Sequence, residues 1–269
     1  MLITKTCTRS NYITMAQNHY FPGVALLITH YNRSKSLERL LNSFANIGCV
    51  FDEIVVSDDG SKPEHQEYLR ELQPKFNYKL ITTPVNKGLG NNINKGQDAV
   101  TAPFTLYVQE DFEPAQDFPL HFGNALSILF ERPDIDMARF YAYFKYPYLK
   151  PLRDGFSEMM FKLWYPGYKK FYYYSDHPHV RRSNFLQKFG RYPEGLKGDV
   201  TEYTVMMAFL KKKGKGIYYD DYQGLFFQKN SSDEPSTMTR ETWRTTGNPF
   251  IAFVRDIYRH IKFNRDYLR

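Results

Sequence analysis

The sequence predicts an α/β fold in which a mostly parallel sheet is flanked by helices. Three observations support this class. Short apolar runs alternate with helix-like segments, turn-forming residues separate them, and several apolar runs end on polar groups. Strands that alternate with helices are joined by right-handed crossovers and form a parallel sheet. With 269 residues, of which 42% are hydrophobic, the chain is long enough to bury a large core in one domain.

The first strand and the first helix follow from the spacing of apolar residues. Residues 24–31, VALLITHY, form an apolar run that stops at polar groups, as a buried parallel strand does. Ser34 or Ser36 is a suitable N-cap for the helix predicted at residues 34–48, and Gly48 follows its last apolar residue. That helix places five apolar side chains on one face: Leu37, Leu40, Leu41, Phe44 and Ile47.

Three further strands and two helices complete the first half. The strands are predicted within residues 51–61, FDEIVVSDDGS, residues 78–84, YKLITTP, and residues 104–109, FTLYVQ. Ser61-Lys-Pro-Glu64 has the spacing of a capping box, which predicts a helix from there to about Lys75. The stretch NKGLGNNINKGQDAV, rich in glycine and asparagine, is expected to become helical before the last strand.

The alternation of strands and helices loosens after Pro114. The segment NSSDEPSTMTRETW lacks apolar periodicity and is predicted to be a mobile loop. The remaining elements are expected to be helices at residues 118–133, 182–190, 200–214 and 249–263, and strands at residues 137–144 and 216–228.

The two halves of the chain differ in charge. Residues 1–113 hold 11 Lys and Arg against 12 Asp and Glu, for a net charge of −1, and residues 114–269 hold 25 against 17, for a net charge of +8. A basic second half indicates an anionic partner such as a phosphate, a membrane surface or nucleic acid, and a solvated basic surface is the alternative. No strong nucleic-acid-binding motif is present, so nucleic acid is not an expected partner.

Cysteine content and hydropathy bear on the compartment. Cys7 and Cys49 are too few for a disulfide framework or a metal cluster. No apolar run approaches the roughly 20 residues of a membrane span, and no secretory signal is evident at the start. We therefore expect a cytoplasmic protein, with peripheral contact at the inner membrane face as a further possibility.

Polar groups follow three of the four predicted strands of the first half. They are residues 30–33, HYNR, residues 57–60, SDDG, and residues 109–111, QED. The ligand crevice of a parallel α/β sheet lies beyond the carboxyl ends of its strands, so these groups are expected to meet at one edge. Ordinary acidic strand ends are the alternative interpretation.

Three stretches that include these groups resemble motifs of family 2 glycosyltransferases. Residues 28–33, ITHYNR, are similar to I-P-T-Y-N-R, residues 54–61, IVVSDDGS, to I-V-V-D-D-G-S, and residues 86–96, NKGLGNNINKG, to N-x-G-x-x-x-A-x-N-x-G. The resemblance is close over residues 24–114 and weak over residues 175–220. It implies the GT-A fold, a Rossmann-like mostly parallel sheet flanked by helices, with a C-terminal acceptor-side lobe.

The resemblance also implies an organisation and an activity. Residues 24–114 would be the nucleotide-sugar-binding half and residues 115–269 the acceptor-binding half with a C-terminal helix, all within one GT-A domain. Residues 1–23 are predicted to be an N-terminal leader, because Met15 begins the stretch MAQNHYFPGVALL. The implied activity is transfer of a sugar, with inversion, from a nucleoside-diphosphate-sugar to a glycan or lipid-linked acceptor in cell-surface glycan synthesis, with a UDP-sugar favoured. The alternatives are a nucleotidyltransferase and a non-catalytic carbohydrate- or membrane-binding relative.

The D-x-D motif of the family corresponds here to Gln109-Glu110-Asp111. In the family the last Asp binds a divalent cation, Mn²⁺ or Mg²⁺, so the resemblance implies that Asp111 is the metal ligand. Such a cation bridges the diphosphate and prefers oxygen ligands. Gln109 stands where the family has its first Asp, and it can hydrogen-bond a hydroxyl group but brings no charge. That departure puts metal affinity in question.

The same resemblance implies a donor pocket. Asp58 or Asp59 would accept a hydrogen bond from a base N–H, although D-D-G-S is also good turn chemistry. Tyr31 would lie against the base and Arg33 would meet a phosphate, whereas His30 is interpreted as a histidine at the edge of the core. The full donor-binding set is Thr29, Tyr31, Arg33, Asp58, Asp59, Asn86, Gly88, Asn91, Asn94, Gln109 and Glu110.

An inverting transfer needs a general base for the acceptor hydroxyl. The family places an acidic residue near the start of a helix, and Glu202 fits that distance best, with Asp199 second. Acidic residues in a first helical turn also complement the helix dipole, which is the structural alternative for both.

Basic and aromatic residues of the second half suit an acceptor cleft. The basic candidates are Arg181, Arg182, Lys229 and Arg240, each also explained as a surface residue. The C-terminal helix would place one apolar side against the protein core, which we favour, or on an anionic membrane. The residues on that side are Phe250, Phe253, Val254, Ile257, Tyr258 and Ile261.

Overall fold

A computed structural model of the chain describes residues 18–230, residue 234 and residues 249–269, with side chains of the last segment from residue 251. Its strands are β1 (His19–His30), β2 (Cys49–Asp58), β3 (Lys79–Ile81), β4 (Phe104–Gln109), β5 (Phe112–Pro114), β6 (Met137–Arg139), β7 (Leu149–Arg153), β8 (Phe156–Met159), β9 (His179–Arg182), β10 (Gly216–Tyr219) and β11 (Phe226–Gln228). Its helices are α1 (Ser34–Asn46), α2 (Pro63–Phe76), α3 (Leu89–Asp98), α4 (Phe118–Glu131), α5 (Phe185–Phe189), α6 (Gly198–Lys211) and α7 (Pro249–Leu268), with a 3₁₀ turn at Tyr168–Phe171.

The predicted α/β fold is confirmed. Nine strands form one sheet in the order β3-β2-β1-β4-β9-β6-β10-β8-β7. The predicted parallel arrangement holds across β3, β2, β1 and β4. The sheet then continues through β9, which is antiparallel to both β4 and β6. A separate antiparallel pair, β5 with β11, lies just after the end of β4.

The first strand is longer than its apolar run predicts. β1 begins at His19, within the segment assigned to the leader, and pairs with β2 from its first residue. The register shifts between Phe21 and Ala25, where Gly23 adopts a φ of 74°. This bulge interrupts the hydrophobic pattern, which is why the sequence indicates only the part after it. Residues 1–17 of the predicted leader lie outside the described residues.

Two of the later strand predictions also change. The strand expected at residues 137–144 ends at Arg139, because the next backbone N–H groups bond outside the ladder, Phe140 to Pro178 and Ala142 to Tyr222. The segment expected to be one strand at residues 216–228 is divided between β10 and β11, which belong to different sheets.

Two hydrophobic cores lie on the two faces of the sheet. One contains the buried faces of α1, α2 and α4, with Leu40, Leu69 and Phe122 among its members. The other contains residues of α3, α5, α6 and the 3₁₀ turn, and Phe263 of α7 joins it. The helices therefore flank the sheet on both sides, as the sequence predicts.

The predicted N-terminal caps of α1 and α2 are wrong, whereas Gly48 follows the end of α1 with a φ of 72°, as the sequence predicts. Neither Ser34 nor Ser36 caps α1 with its side chain, and the box expected from Ser61 and Glu64 is absent. The α2 helix instead begins with Pro63, whose missing N–H costs nothing at that position. The Ser61 hydroxyl bonds to Asp58 and accepts a hydrogen bond from the Asn32 backbone N–H at 2.8 Å.

The predicted packing of the C-terminal helix is also wrong. Phe253, Tyr258 and Ile261 of α7 are each about 60% exposed, so the expected apolar side faces solvent. The helix contacts the core with Phe263 on its other side. The side chain of Phe250 lies outside the described residues. Among the helices that the structure describes, none has the length and apolar character required to cross a membrane.

Candidate active site

The site lies where β1 and β4 are neighbours in the sheet. The strand order reverses here, since β2 and β3 lie on one side of β1 and β4 lies on the other. The carboxyl ends of three strands meet in register, with Thr29 beside Gln109 and His30 beside Asp58. In open α/β sheets this switch point is where ligands bind.

Asp111 is buried at the edge of this crevice. One carboxylate oxygen, Oδ2, accepts a hydrogen bond from Gln228 Nε2 at 2.9 Å and lies 3.3 Å from Arg33 Nη1. Its backbone carbonyl accepts a hydrogen bond from Lys229 N at 2.7 Å, next to the pairing of β5 with β11. The other oxygen, Oδ1, is buried and has no hydrogen-bond partner among the described residues.

This unpartnered oxygen fits a single protein ligand to a divalent cation. A buried carboxylate oxygen without a partner carries a desolvation cost that a bound cation would offset. The described residues contain no group of three or more His, Cys, Asp or Glu side chains placed to hold a metal. A cation here would therefore need phosphate or water oxygens to complete its coordination.

Arg33 and Glu110 complete the charged part of the crevice. Arg33 Nη1 lies 3.5 Å from Glu110 Oε1, and Arg33 Nη2 donates to Asn230 Oδ1 at 2.8 Å and to the Glu234 carbonyl at 3.2 Å. Burial raises the pKa of Glu110 to about 8, with a further contribution from the charge of Asp111 and opposition from Arg33. The raised pKa favours the protonated form of Glu110 at neutral pH.

Asp58 and Asp59 are both engaged in internal hydrogen bonds. Asp58 bonds to His30 Nδ1 at 2.8 Å and accepts from the backbone and hydroxyl of Ser61. Burial opposes ionisation of Asp58, but the bonds from His30 and Ser61 hold its pKa below the usual value. Asp59 accepts from the backbone N–H groups of Lys87 and Gly88 at 2.9 and 2.8 Å. The turn chemistry weighed as the alternative is therefore present at Asp58, whereas Asp59 bonds to a segment distant in sequence.

Further buried polar contacts join β1, β2, β4 and α3 near this edge. Thr29 Oγ1 lies 3.0 Å from Tyr107 Oη, and both residues are buried. Asn92 accepts a hydrogen bond from the Ser57 hydroxyl at 2.7 Å and donates to the His30 carbonyl. Tyr31 is partly exposed at the edge above them.

The asparagines of the third motif have separate roles. Asn86 is exposed, and its Oδ1 accepts a hydrogen bond from Gly88 N, where φ is 87°. Asn91 and Asn94 donate to the two carboxylate oxygens of Glu194 at 2.8 and 2.9 Å. These two side chains connect α3 to the second half of the chain.

A second acidic pair consists of Glu202, near the start of α6, and Asp176, which lies before β9. Glu202 Oε1 accepts a hydrogen bond from the backbone N–H of Asp176 at 3.1 Å. Burial and the charge of Asp176 raise the pKa of Glu202 to about 8, against the opposing charge of Arg139. Asp199 lies in the first turn of the same helix and is partly exposed.

Asp176 is the acidic residue that motif reasoning missed. Its Oδ1 accepts a hydrogen bond from Tyr174 Oη at 2.8 Å, and its Oδ2 is buried with no hydrogen-bond partner among the described residues. Burial raises its pKa to about 6. The neighbouring His177 ring lies 6.2 Å from the ring of Phe112, the residue after Asp111. The sequence signal for Asp176 is the polar stretch DHPH at residues 176–179.

Of the basic residues predicted for an acceptor cleft, Arg181 and Arg182 are engaged within the fold, and Lys229 is exposed beside Gln228. Arg181 is fully buried and donates to Gln97 Oε1 at 2.9 Å and to Tyr192 Oη at 2.7 Å. Arg182 donates to main-chain carbonyl groups, Ile135 at 2.9 Å among them. Lys229 pairs with Glu113 at 2.6 Å. Arg240 lies outside the described residues, as does most of the predicted mobile loop.

An aromatic surface lies close to Asp111. Tyr143 and His177 pack edge to face with ring centroids 4.5 Å apart, and Tyr143 is about half exposed. Tyr143 Oη donates to Gln228 Oε1 at 3.1 Å, and Gln228 in turn donates to Asp111. Exposed aromatic faces of this kind can pack against the apolar face of a sugar ring.

Comparison with known sequences gives a family and distant relatives. The model of Glycosyl transferase family 2 matches residues 25–190, more than half of the chain. Poly-beta-1,6-N-acetyl-D-glucosamine synthase of Staphylococcus epidermidis is 22% identical over 109 residues, which are 40% of this chain and 26% of the relative. Chondroitin synthase of Escherichia coli is 37% identical over 60 residues, 22% of this chain and 9% of the relative. The chain thus matches about a quarter or less of each of these relatives.

Solved structures show a similar fold. Residues 1–349 of S. aureus TarS, in complex with UDP-GlcNAc, align with a TM-score of 0.60 and 19% identity, covering 82% of this chain and 62% of that one. The mannosyltransferase PcManGT of Pyrobaculum calidifontis, in complex with GDP-Man and Mn²⁺, aligns with a TM-score of 0.52 and 16% identity, covering 80% and 59%. At such low identity these likenesses support the fold alone.

Proposed function

The chain belongs to glycosyl transferase family 2, and on that premise we propose that it transfers a sugar from a nucleoside-diphosphate-sugar, preferably a UDP-sugar, to a glycan or lipid-linked acceptor with inversion. The proposed product is a cell-surface glycan or its precursor. A relative named as a polysaccharide synthase supports this assignment. The similarly folded TarS was solved with UDP-GlcNAc, and we carry that donor class over as part of the proposal. The observation that carries it is Asp111 Oδ1, a buried oxygen at the switch point of the sheet that has no hydrogen-bond partner in the part of the chain that the structure describes.

Asp111 would hold Mn²⁺ or Mg²⁺, and the bound cation would neutralise the diphosphate as the glycosidic bond breaks. Gln228 donates a hydrogen bond to Asp111 Oδ2, so the Gln228 amide group does not occupy Oδ1. Arg33 would meet a phosphate oxygen of the donor, and its guanidinium lies within 3.5 Å of carboxylate oxygens of both Glu110 and Asp111. A phosphate would compete with these carboxylates for Arg33. Donor binding would therefore require the contacts around Arg33 to rearrange.

We assign the general base to Glu202, with Asp199 as the second candidate. A base works best when its pKa lies near the working pH, and burial beside Asp176 raises the pKa of Glu202 towards that range. The backbone N–H of Asp176 orients the Glu202 carboxylate. Asp176 itself would be the third acidic participant, because its charge sets the proton affinity of Glu202.

Nucleotide binding tests the metal and donor assignments together. The melting temperature would be measured with UDP, GDP, dTDP and CDP, each with Mn²⁺ and with EDTA. We expect UDP to raise it only when Mn²⁺ is present, because a ligand that binds the folded state alone stabilises it. Asp111→Asn should weaken UDP binding in Mn²⁺ by more than about a hundredfold while the unliganded protein stays folded.

The matched control is Asp98→Asn, which makes the same chemical change in an exposed ion pair with Arg191. This variant should bind UDP like the wild type. Equal affinity of Asp111→Asn and wild type for UDP in Mn²⁺ would exclude Asp111 as the metal ligand.

A further inference from the structure

The α7 helix presents an apolar face to solvent. Its large side chains are between 45% and 62% exposed, at positions spaced three or four residues apart on one side of the helix. These residues, called the α7 face below, are Phe253, Val254, Ile257, Tyr258 and Ile261. Contiguous exposed apolar surface of this kind marks an interaction site in a folded protein.

The helix is held firmly by its opposite side. Phe263 is buried and its ring lies 5.0 Å from Tyr203 of α6 and 5.7 Å from Phe171 of the 3₁₀ turn. Tyr203 Oη also donates to Asp266 Oδ2 at 2.8 Å. The α7 face is therefore the outward side of a docked helix.

Trp164 is an exposed aromatic residue in a loop joined to α7. It is 77% exposed and lies in a loop that Lys170 ties to α7, since Lys170 Nζ donates to the Tyr165 carbonyl at 2.7 Å and to Asn264 Oδ1 at 3.2 Å. Tryptophan and tyrosine side chains favour the boundary between water and the acyl region of a bilayer. Trp164 and Tyr258 together give the surface two such residues.

The charge around the α7 face is positive. Residues 251–269 hold five Lys and Arg against two Asp, and the Trp164 loop adds the exposed Lys162 and Lys169 with no acidic residue between positions 160 and 170. Basic residues next to an exposed apolar helix face complement anionic lipid headgroups. A two-fold contact between copies of the chain would instead bring two such basic surfaces together, which disfavours a second copy as the partner.

We propose that the α7 face and Trp164 insert into the surface of an anionic lipid bilayer, so that the protein binds the membrane peripherally. Adjacent cations would then lie at the level of the headgroups. This inference does not depend on the proposed enzymatic activity, because vesicle binding requires neither donor nor metal.

Vesicle flotation tests the proposal on the whole chain without nucleotide. We expect the protein to float with vesicles of phosphatidylcholine and phosphatidylglycerol, to remain largely unbound with phosphatidylcholine alone, and to be released in part by high salt. Ile261→Glu should weaken binding to the anionic vesicles by about tenfold, because it places a carboxylate in the apolar face. Its melting temperature should be unchanged, since the side chain is 62% exposed.

The matched control is Leu120→Glu, an equally exposed leucine (63%) on α4 that receives the same charge. It should bind anionic vesicles like the wild type. Equal vesicle binding by Ile261→Glu and Leu120→Glu, or no binding of wild type to anionic vesicles, would overturn the proposal. A stable dimer in sedimentation velocity that Ile261→Glu dissociates would also overturn it, in favour of a second copy of the chain.

Discussion

At the scale of single residues, the site consists of carboxylates whose protonation is set by their neighbours. Glu110 and Glu202 are both raised in pKa by burial and by an adjacent aspartate, Asp111 in one case and Asp176 in the other. Each pair has an arginine nearby, Arg33 and Arg139 respectively. The two pairs therefore resemble each other in electrostatics but differ in their proposed roles, one in metal binding and one in proton transfer.

The contact between Gln228 and Asp111 predicts a supporting role for the amide. Gln228→Ala should reduce Mn²⁺-dependent UDP affinity by about 10- to 100-fold, because residues that orient a metal ligand have effects of this size. Titration calorimetry with UDP would measure it. Gln223→Ala is the control, since Gln223 makes only a 3.5 Å contact with a main-chain carbonyl. A Gln228→Ala affinity equal to that of the control would contradict the supporting role.

The acidic pair predicts a pH dependence with a definite sign. A base must be unprotonated to act, so kcat/KM should rise with pH through an apparent pKa of about 8 that belongs to the coupled pair. Asp176→Asn removes a negative charge beside Glu202, which should shift the rise to lower pH. The pH profile of kcat/KM would measure this shift. Glu202→Gln should lose sugar transfer, and with it the pH dependence of kcat/KM, while UDP binding remains. Normal turnover in that variant would assign the base to Asp199 or another group.

At the scale of elements, α1 depends on a residue distant in sequence. Its own serines provide no side-chain cap. The carboxylate of Glu234 instead accepts hydrogen bonds from the backbone N–H groups of Lys35 and Ser36 at 2.9 and 2.8 Å. A carboxylate at this position also complements the helix dipole. Because Arg33 contacts the Glu234 carbonyl, the start of α1 and the crevice share one set of contacts.

Removal of this distant cap should destabilise the protein. Glu234→Gln is expected to lower the free energy of unfolding by about 1–2 kcal/mol at neutral pH, the usual range for a helix cap and its charge. Urea denaturation would measure it. Glu64→Gln is the control, because Glu64 lies in the first turn of α2 but makes no side-chain cap there.

The pH dependence of this effect has a fixed direction. Burial opposes ionisation of Glu234, but hydrogen bonds from Ser36 and Lys35 hold its pKa below the usual value. The stabilisation by Glu234 is therefore complete at pH values above the pKa of glutamate in the unfolded chain. It is lost as the pH falls through the lower pKa that Glu234 has in the folded protein. A difference between wild type and Glu234→Gln that grows on acidification would contradict this account.

At the scale of the whole molecule, the two halves defined from the sequence share one sheet and one network. The β4 strand of the first half pairs with β9 of the second. Asn94 bonds to both the N–H and the carbonyl of Tyr192, at 3.0 and 2.9 Å, and to Glu194. Arg181 donates hydrogen bonds to both Gln97 and Tyr192. We therefore expect a single cooperative unfolding transition for the described fold.

Asn94 offers a test of this connection. Asn94→Ala leaves the buried polar groups of Tyr192 unsatisfied and should lower the free energy of unfolding by about 2–4 kcal/mol. The transition should stay single when circular dichroism and tyrosine fluorescence are compared in urea. Asn86→Ala, at an exposed asparagine, should change stability by less than about 0.5 kcal/mol. Two separated transitions in Asn94→Ala would indicate that the halves unfold independently.

The sequence by itself determined the alternating elements of the first half, the edge at which their polar ends meet, and the family. Those features are local, since apolar spacing specifies a strand or a helix and strand direction brings His30, Asp58 and Gln109 to one side. Only the tertiary structure decided that Glu234 caps α1, that Gln228 holds Asp111, that Asp176 lies beside Glu202, and that α7 turns its apolar face outward. The first three depend on contacts between residues far apart in the chain, and the last depends on which side of the helix the core covers. No local pattern of residue types specifies such contacts or that side.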